Sequence, residues 1–135
     1  MSDQDPVIVV GAGIIDELEI KYGDVAFQSR RIEIDPHEDE IEAMYSRGWS
    51  DGLPLVPPTE SRVRTFLSGN DRYPDEIIAR MPDSSECTVE KIVINAVMAG
   101  APVESLELII AAIEAIKRRQ AIAELRTKIR ESATK

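Results

Sequence analysis

A short stretch of the chain, CTVEKIVIN (87–95), carries the side chains whose types and spacing could do chemistry. Cys87 directly precedes a predicted helix, and a helix N-terminus stabilises a thiolate and lowers the pKa of a thiol. A thiolate there could act as a nucleophile, with a carboxylate and an amine of the same stretch available for proton transfer. The candidate catalytic residues are Cys87, Glu90, Lys91 and Asn95.

Three polar residues of this stretch recur at helical spacing within an otherwise apolar sequence. At about 100° per residue, Thr88, Lys91 and Asn95 fall in one sector of a helix. Glu90 lies about a quarter-turn or more away from that sector. If the sector faces the interior, the lysine and the asparagine line a cleft and need polar partners, because unpaired burial costs free energy. The alternative is that they form the solvent-facing stripe of the helix.

A nucleophilic Cys87 would need a general base, and the sequence places no histidine beside it. The only histidine, His37, lies fifty residues earlier in a polar segment. Cys87 and Thr88 could instead form a helix cap with no catalytic role. We therefore predict that Cys87→Ser leaves function largely intact.

A rigid apolar segment, WSDGLPLVPP (49–58), precedes this stretch and cannot form a regular helix. Its prolines fix φ, lack an N–H donor and bias the preceding residues toward extended geometry. The segment is either a stiff connector or a loop that contacts a ligand. We predict that Lys91 and Asn95 line a cleft with this loop. The candidate substrate-binding residues are Trp49, Asp51 and Thr88.

Two strings, GWSDGLPLVPPTESRV (48–63) and CTVEKIVINAVMAGAPVESLELIIAAIEAI (87–116), resemble one region of larger bacterial proteins, the UGSC-motif or selenocysteine-related family. The resemblance covers about half of the chain and implies an association with redox or lyase-like chemistry. The family usually has a cysteine where this chain has Ala101, so thiol chemistry at that position is absent. The larger relatives continue into a Gly/Asn-rich half, which implies that another polypeptide supplies the rest of an active site.

The N-terminal third reads as a small β unit. The run from Val7 to Val10 predicts a strand, and the segment from Val25 to Ile34 predicts extended chain. The Gly-Ala-Gly turn after the first run lacks the third small residue of a dinucleotide-binding fingerprint, since Asp16 occupies that position. We therefore expect a plain turn there. The segment from Ile14 to Tyr22 fits either a short helix or a strand.

Short helices are predicted in the middle of the chain. Asp35 predicts the cap of the first, and His37 lies among acidic residues in its first turn. A metal site there is conceivable, but a solvated helix end explains the same residues, so no metal is predicted. Thr59 predicts the cap of a second helix, and the segment from Tyr73 to Met81 predicts a third. The predicted apolar stripe of the first helix is Ile41, Met44 and Tyr45.

Two longer helices form the predicted centre of the fold, a hairpin joined at the Gly-Ala-Pro corner (100–102). The first helix is capped by Thr88. Nothing after Pro102 breaks the helical pattern, so the second helix is predicted to reach about Arg130. The predicted core stripe of the second helix is Leu106, Ile109, Ile110, Ile113 and Ile116.

The last part of that helix is a basic amphipathic tail. Ile122, Leu125 and Ile129 recur at three- and four-residue spacing, beyond the reach of the chain's own core if the helix is straight. We predict that a second chain covers this stripe. The alternative is a break near residues 118–120 that folds the tail back onto the acidic residues of 33–42.

Composition and charge limit the classes of protein to which the chain can belong. No apolar run of the sequence could span a bilayer, and the acidic N-terminus is unlike a signal peptide, so we expect a soluble, cytoplasmic protein. The single cysteine predicts that the chain has no internal disulfide. The net charge of −9 argues against general nucleic-acid binding. Residues 117–135 carry +5, from seven basic and two acidic residues, which leaves −14 on residues 1–116.

These patterns predict an α+β fold that is predominantly α, with a β arm at 1–34, a helical core domain at 35–117 and a basic helical extension at 118–135. The predicted function is a small subunit of a bacterial multi-subunit enzyme, of lyase or oxidoreductase class, that contributes part of a cleft. Its partner would be a larger enzyme subunit or a second copy, bound through the C-terminal helix; neither nucleic acid nor a membrane is expected, and no particular cofactor is indicated. The alternatives are a self-sufficient small lyase-like or redox enzyme that uses Cys87, and a non-catalytic scaffold or regulator.

Overall fold

A computed structural model describes residues 27–81 and 83–134, together with the backbone of Val7–Val10. The predicted turn at 11–13 and the segment at 14–22 lie outside the described residues. The strands are β1 (Val7–Val10), β2 (Arg30–Glu33), β3 (Ile77–Arg80) and β4 (Glu86–Thr88). The helices are α1 (Glu40–Ser46), α2 (Glu60–Ser68), α3 (Val89–Met98) and α4 (Leu106–Ala133), with a short 3-10 helix at Val103–Ser105. The predicted α+β class, with helix predominant, is confirmed.

The two N-terminal strands form a parallel pair. Val7 is the Cα partner of Arg30, and Val10 is the partner of Glu33. The strand predicted at the N-terminus is confirmed, and the predicted extended segment contains β2. Phe27, just before β2, packs against the hydrophobic core, with the Arg64 guanidinium 5.0 Å above its ring. The described part of the N-terminal segment is therefore packed onto the helical part of the chain.

The second strand pair corrects a prediction. The helix expected from Tyr73 to Met81 is wrong, because β3 pairs antiparallel with β4 there. Ile78 and Ala79 are buried, and their neighbours on either side are exposed. Two adjacent buried residues fit a strand whose register is irregular between Ile77 and Ala79. Asp83 closes the turn between the strands by accepting hydrogen bonds from the Ser85 N–H and Oγ–H. Two adjacent isoleucines are compatible with a helix or with a strand, and here the pairing of β3 with β4 stabilises the strand.

The core is built around α3. Thr88 caps this helix, as predicted, by accepting a hydrogen bond from the Lys91 N–H. Helix α3 contacts α2, β4 and the first part of α4. Its buried residues occupy more than half of the circumference, in agreement with the prediction that it is buried on more than one side. They are Val89, Glu90, Ile92, Val93, Ile94, Ala96 and Val97.

The 49–58 loop lies in the connection between helices α1 and α2. Thr59 caps α2, as predicted, and Val63, Phe66 and Leu67 are buried, as predicted. The cap of α1 is Asp39 and not Asp35, because Asp39 accepts hydrogen bonds from the N–H groups of the first turn. Asp35 instead accepts a hydrogen bond from the His37 N–H (2.8 Å) in the turn before the helix.

The apolar stripe predicted for α1 is also wrong in part. Ala43 and Met44 are buried, but Ile41 is 49% exposed and Tyr45 is 58% exposed. This two-turn helix touches the core through one narrow face, and the side that carries Ile41 and Tyr45 looks away from it. Two large apolar side chains are therefore left at the surface.

Helix α4 is uninterrupted over its 28 residues, about 42 Å at 1.5 Å per residue. The predicted length of this helix is confirmed. The helix has no break at 118–120 that would fold the tail back onto the acidic residues of 33–42. Leu106 and Ile110 are buried, and Ile109 and Ile113 pack partly against the core. Ile116 is 57% exposed, so the predicted core stripe ends one turn too late. No helix in the described part of the chain is both long and apolar enough to cross a membrane.

Candidate functional site

Glu90, a candidate catalytic acid, holds the N-terminal segment in place. Its side chain is 4% exposed, and its two carboxylate oxygens accept hydrogen bonds from the backbone N–H groups of Gln28 (3.1 Å) and Ser29 (2.8 Å). Hydrogen bonds to a charged acceptor are stronger than neutral ones. The carboxylate is thus engaged on both oxygens and removed from solvent. This geometry gives Glu90 a structural role, because the buried carboxylate holds two backbone N–H groups of the N-terminal segment.

The other polar residues of α3 lie toward solvent. Asn95 is exposed, and its Nδ2 donates a hydrogen bond to the carbonyl of Lys91 (2.8 Å), one turn earlier in the same helix. Thr88 Oγ1 is occupied by the cap. Lys91 is half-buried, and its charge acts on Cys87 and on Asp83 of the β3–β4 turn. The three residues therefore share the surface beside the β3–β4 hairpin, as the solvent-facing interpretation predicts.

Cys87 does not have the activated thiol that the sequence suggested. It lies in β4, opposite Ala79, and is half-buried. Burial raises the pKa of the Cys87 thiol, and the charge of Lys91 lowers it by less. The expected lowering by the helix N-terminus is wrong because the thiol belongs to a strand packed on the core and not to the first helical turn. At neutral pH the group is a thiol, which is a poor nucleophile.

The histidine is also remote from any assembled site. His37 is exposed in the turn before α1. In the ranges 27–81 and 83–134, no group of three or more His, Cys, Asp or Glu side chains is placed to hold a metal ion. The described residues therefore offer no metal-ligand set on which a catalytic step could be built.

The 49–58 loop is fixed at both ends and along its turn. The Trp49 N–H donates to the carbonyl of Met44 (3.1 Å), and the Val56 N–H donates to the carbonyl of Met98 (3.0 Å). Asp51, predicted to bind substrate, accepts a hydrogen bond from the Leu53 N–H (3.3 Å) and so supports the turn. Pro57 and Pro58 are buried behind the loop.

Trp49, the other loop residue predicted to bind substrate, is only partly exposed. The Arg47 guanidinium lies 6.0 Å from the centre of its ring, at the outer limit of a cation–π contact. Trp49 does not line the groove described next. Its indole is therefore partly buried and lies near Arg47, outside the groove.

The feature that sequence reasoning missed is a groove between α1 and this loop. Its volume is about 250 Å³, and it is open to solvent. Leu53 on the loop side is 68% exposed. Glu42, Ser50 and the Tyr45 hydroxyl are the polar groups of the lining. The apolar lining consists of Ile41, Met44, Tyr45, Leu53, Pro54 and Leu55. The available signal was the apolar α1 stripe, which the sequence assigned to the core.

The structure does not bring the groove and the polar face of α3 together. Neither Lys91 nor Asn95 lines the groove. The loop is joined to Met98 at the C-terminal end of α3, whereas Lys91 lies in the first turn, about 10 Å away along the axis at 1.5 Å per residue. The predicted cleft between Lys91, Asn95 and the loop is therefore not formed by the described residues.

The surroundings of the groove are acidic. Glu42 lines it, Asp39 caps α1, and Asp51 supports the loop turn. The nearest basic residue in the sequence, Arg47, has its guanidinium 3.2 Å from a Glu38 oxygen. An apolar groove with an acidic border can bind an apolar surface that carries positive charge.

No protein-family model matches the chain, and no curated protein and no solved structure matches it significantly. The resemblance of residues 48–63 and 87–116 to the UGSC-motif family stays a prediction.

Proposed function

We propose that this chain is a small subunit of a multi-subunit enzyme and that α4 attaches it to a neighbouring chain. The observation that carries the proposal is the uncovered apolar stripe of the helix. Ile122, Leu125 and Ile129 are 51%, 59% and 67% exposed, and their spacing places them on one face. Covering an apolar side chain completely contributes about 1.5–3 kcal/mol, so a partner that covered this stripe would gain affinity.

The remainder of the tail supports the same proposal. Every residue from 117 to 134 is exposed, so the described residues supply no packing for this part of the helix. Most helical stability in proteins comes from such packing and not from the intrinsic helix propensity of the residues. A neighbouring chain would provide this packing. The basic side chains that accompany the stripe are Lys117, Arg118, Arg119, Arg126, Lys128 and Arg130.

The state of the candidate catalytic residues favours a shared active site over a self-sufficient one. Glu90 is engaged by two backbone N–H groups, and the pKa of Cys87 is raised. Lys91 is half-buried, and its charge acts on the surface beside Cys87, where a substrate held by another chain could meet it. The enzymatic part of the proposal depends on the resemblance of 48–63 and 87–116 to the UGSC-motif family. Without that resemblance, the helices support a non-catalytic scaffold.

The test compares Leu125→Asp with Gln120→Asp in the native assembly. By helical geometry Gln120 lies on the opposite side of α4 from the stripe, and it is also exposed. We expect light scattering to show a complex for the wild-type chain and for Gln120→Asp, and a monomer for Leu125→Asp. Circular dichroism checks that the variants stay folded. A wild-type monomer, or a Leu125→Asp chain that keeps the mass of the complex, would contradict the proposal.

A further inference from the structure

We infer that the surface receiving the α4 stripe is the groove between α1 and the 49–58 loop on a second copy of this chain. The inference rests on the proposed function, because it names the neighbouring chain to which α4 attaches. Each copy has one tail and one groove, so the tail of each copy can bind the groove of the other. The interface would join two surfaces that the single chain leaves uncovered.

The apolar parts of the two surfaces correspond. Three large side chains of the groove are exposed by about half or more, namely Ile41, Tyr45 and Leu53. The tail presents its own row of three aliphatic side chains (122, 125 and 129). Exposed apolar patches bordered by polar residues are typical of interaction sites. The loop that forms one wall is held by the Val56–Met98 hydrogen bond, so binding would not require it to be ordered first.

The charges of the two surfaces are opposite. The groove contains Glu42 and is bordered by the α1 cap and the loop turn, which carry further carboxylates. Beside the stripe the tail carries arginines, among them Arg126 and Arg130. Opposite charges at the rim of an apolar contact accelerate association and fix its orientation. The groove thus combines an exposed apolar lining with the negative charge that would attract a basic helix.

The tail does not occupy the groove of its own chain. Helix α4 continues without a break to Ala133, and residues 117–134 are exposed. Pairing of two tails along their stripes is disfavoured by charge. Arg118 precedes Leu125 by seven residues and thus lies on the stripe itself, so a parallel tail–tail contact would bring the two Arg118 residues together. The groove of a second copy offers carboxylates instead.

The experiment uses the full chain and measures its self-association by sedimentation velocity. Leu125→Asp changes the tail and Leu53→Asp changes the groove. Each substitution alone should raise the dissociation constant of the oligomer about tenfold or more. The matched controls are Gln120→Asp on the other side of α4 and Met81→Asp, which replaces a 50% exposed apolar residue of the β3–β4 hairpin outside the groove. The controls should associate as the wild type does.

Mixing the two variants gives the decisive measurement. The Leu53→Asp chain keeps its tail and the Leu125→Asp chain keeps its groove, so the mixture should form a one-to-one dimer with a single tail–groove contact. That dimer should weaken between about 0.05 M and 0.5 M salt, because screening shortens the range of the charge attraction. A tail–tail contact would not join the two variants to each other, because only the Leu53→Asp chain keeps its tail.

The remaining outcomes separate this inference from the proposed function. If Leu125→Asp dissociates the assembly while Leu53→Asp leaves it intact, the groove is not the receiving surface and only the docking role of α4 stands. If the wild-type chain stays monomeric alone but joins a larger subunit through α4, the second copy is excluded as the partner. Binding to anionic phospholipid vesicles that Leu125→Asp abolishes, without self-association, would likewise overturn the inference.

Discussion

The two halves of α4 have similar helical patterns and opposite surroundings. In the first half, Leu106 and Ile110 are 0% and 1% exposed because β3 and α3 lie against them. In the second half, aliphatic residues recur at the same three- and four-residue spacing and are more than half exposed. An apolar stripe therefore indicates that a helix face can be covered, but the covering surface must come from elsewhere in the fold or from another chain.

The largest expected effect contrasts the two halves directly. Leu106→Ala should lower the free energy of unfolding by about 2–5 kcal/mol, because it leaves a cavity in a closed part of the core. Leu125→Ala should change it by less than about 0.5 kcal/mol in the monomer, because its side chain is already exposed. Urea unfolding of both variants, at a concentration where the wild type is monomeric, measures the difference. Equal losses would show that the second half of α4 is also packed within the monomer.

The next effect concerns a buried contact of α3. Glu90→Gln replaces one of two acceptor oxygens by an NH₂ group, which faces a backbone N–H of Gln28 or Ser29 without a partner. We expect a loss of about 1–3 kcal/mol in unfolding free energy. The control is Glu86→Gln, which removes an exposed ion pair with Arg80 on β3 and should cost about 0–1 kcal/mol. A similar small loss in both variants would mean that Glu90 does not hold the N-terminal segment.

An effect of similar size is expected at the end of α2, where Gly69 lies against the 3-10 helix that leads into α4. A Cβ at Gly69 would overlap the Val103 side chain, although the backbone φ of Gly69 suits any residue. Gly69→Ala should therefore lower the unfolding free energy by about 1–3 kcal/mol through overpacking. The double variant Gly69→Ala/Val103→Ala removes the overlapping atoms and should lose less than the sum of the two single variants. Additive losses in thermal unfolding would contradict this contact.

The smallest effect is the pH dependence of an exposed contact at the start of α4. Arg72 donates two hydrogen bonds to the Glu107 carboxylate (2.9 and 2.8 Å), and these hold the pKa of Glu107 below its ordinary value of 4.5. Because the folded pKa is lowered, this stabilisation is present above pH 4.5 and is lost as the pH falls through the folded value. The unfolding free energies of wild type and Glu107→Gln should thus converge on acidification. A constant difference from pH 6 to pH 3 would show that the contact does not contribute.

Some interpretations were accessible from sequence because they depend on neighbours along the chain. A threonine before an acidic, apolar-periodic segment identified the caps of α2 and α3, since a cap needs only the N–H three residues later. Gly100, at φ of +69°, ends the α3 turn as predicted, because a glycine adopts this conformation without strain. The unbroken pattern after Pro102 predicted the extent of α4. Each of these features is local.

The candidate site was less accessible because its geometry depends on distant residues. Glu90 looked like a free acid, but its partner is the backbone of Ser29, sixty-one residues earlier in the chain. Nothing in the local pattern around a carboxylate specifies which backbone will approach it. The groove was missed for a related reason, since Ile41 and Tyr45 have the spacing of a core stripe and only the position of α1 leaves them uncovered.

The helix caps, the burial of α3, the length of α4 and the uneven distribution of charge follow from the sequence, because hydrogen bonding within a helix and side-chain period are set over a few residues. By contrast, long-range packing makes Ile77–Arg80 a strand, half-buries Cys87 and raises the pKa of its thiol, and covers one half of α4. These outcomes depend on which elements pack together. Packing is a property of the whole chain, because each apolar face is stabilised only by the particular surface that excludes water from it.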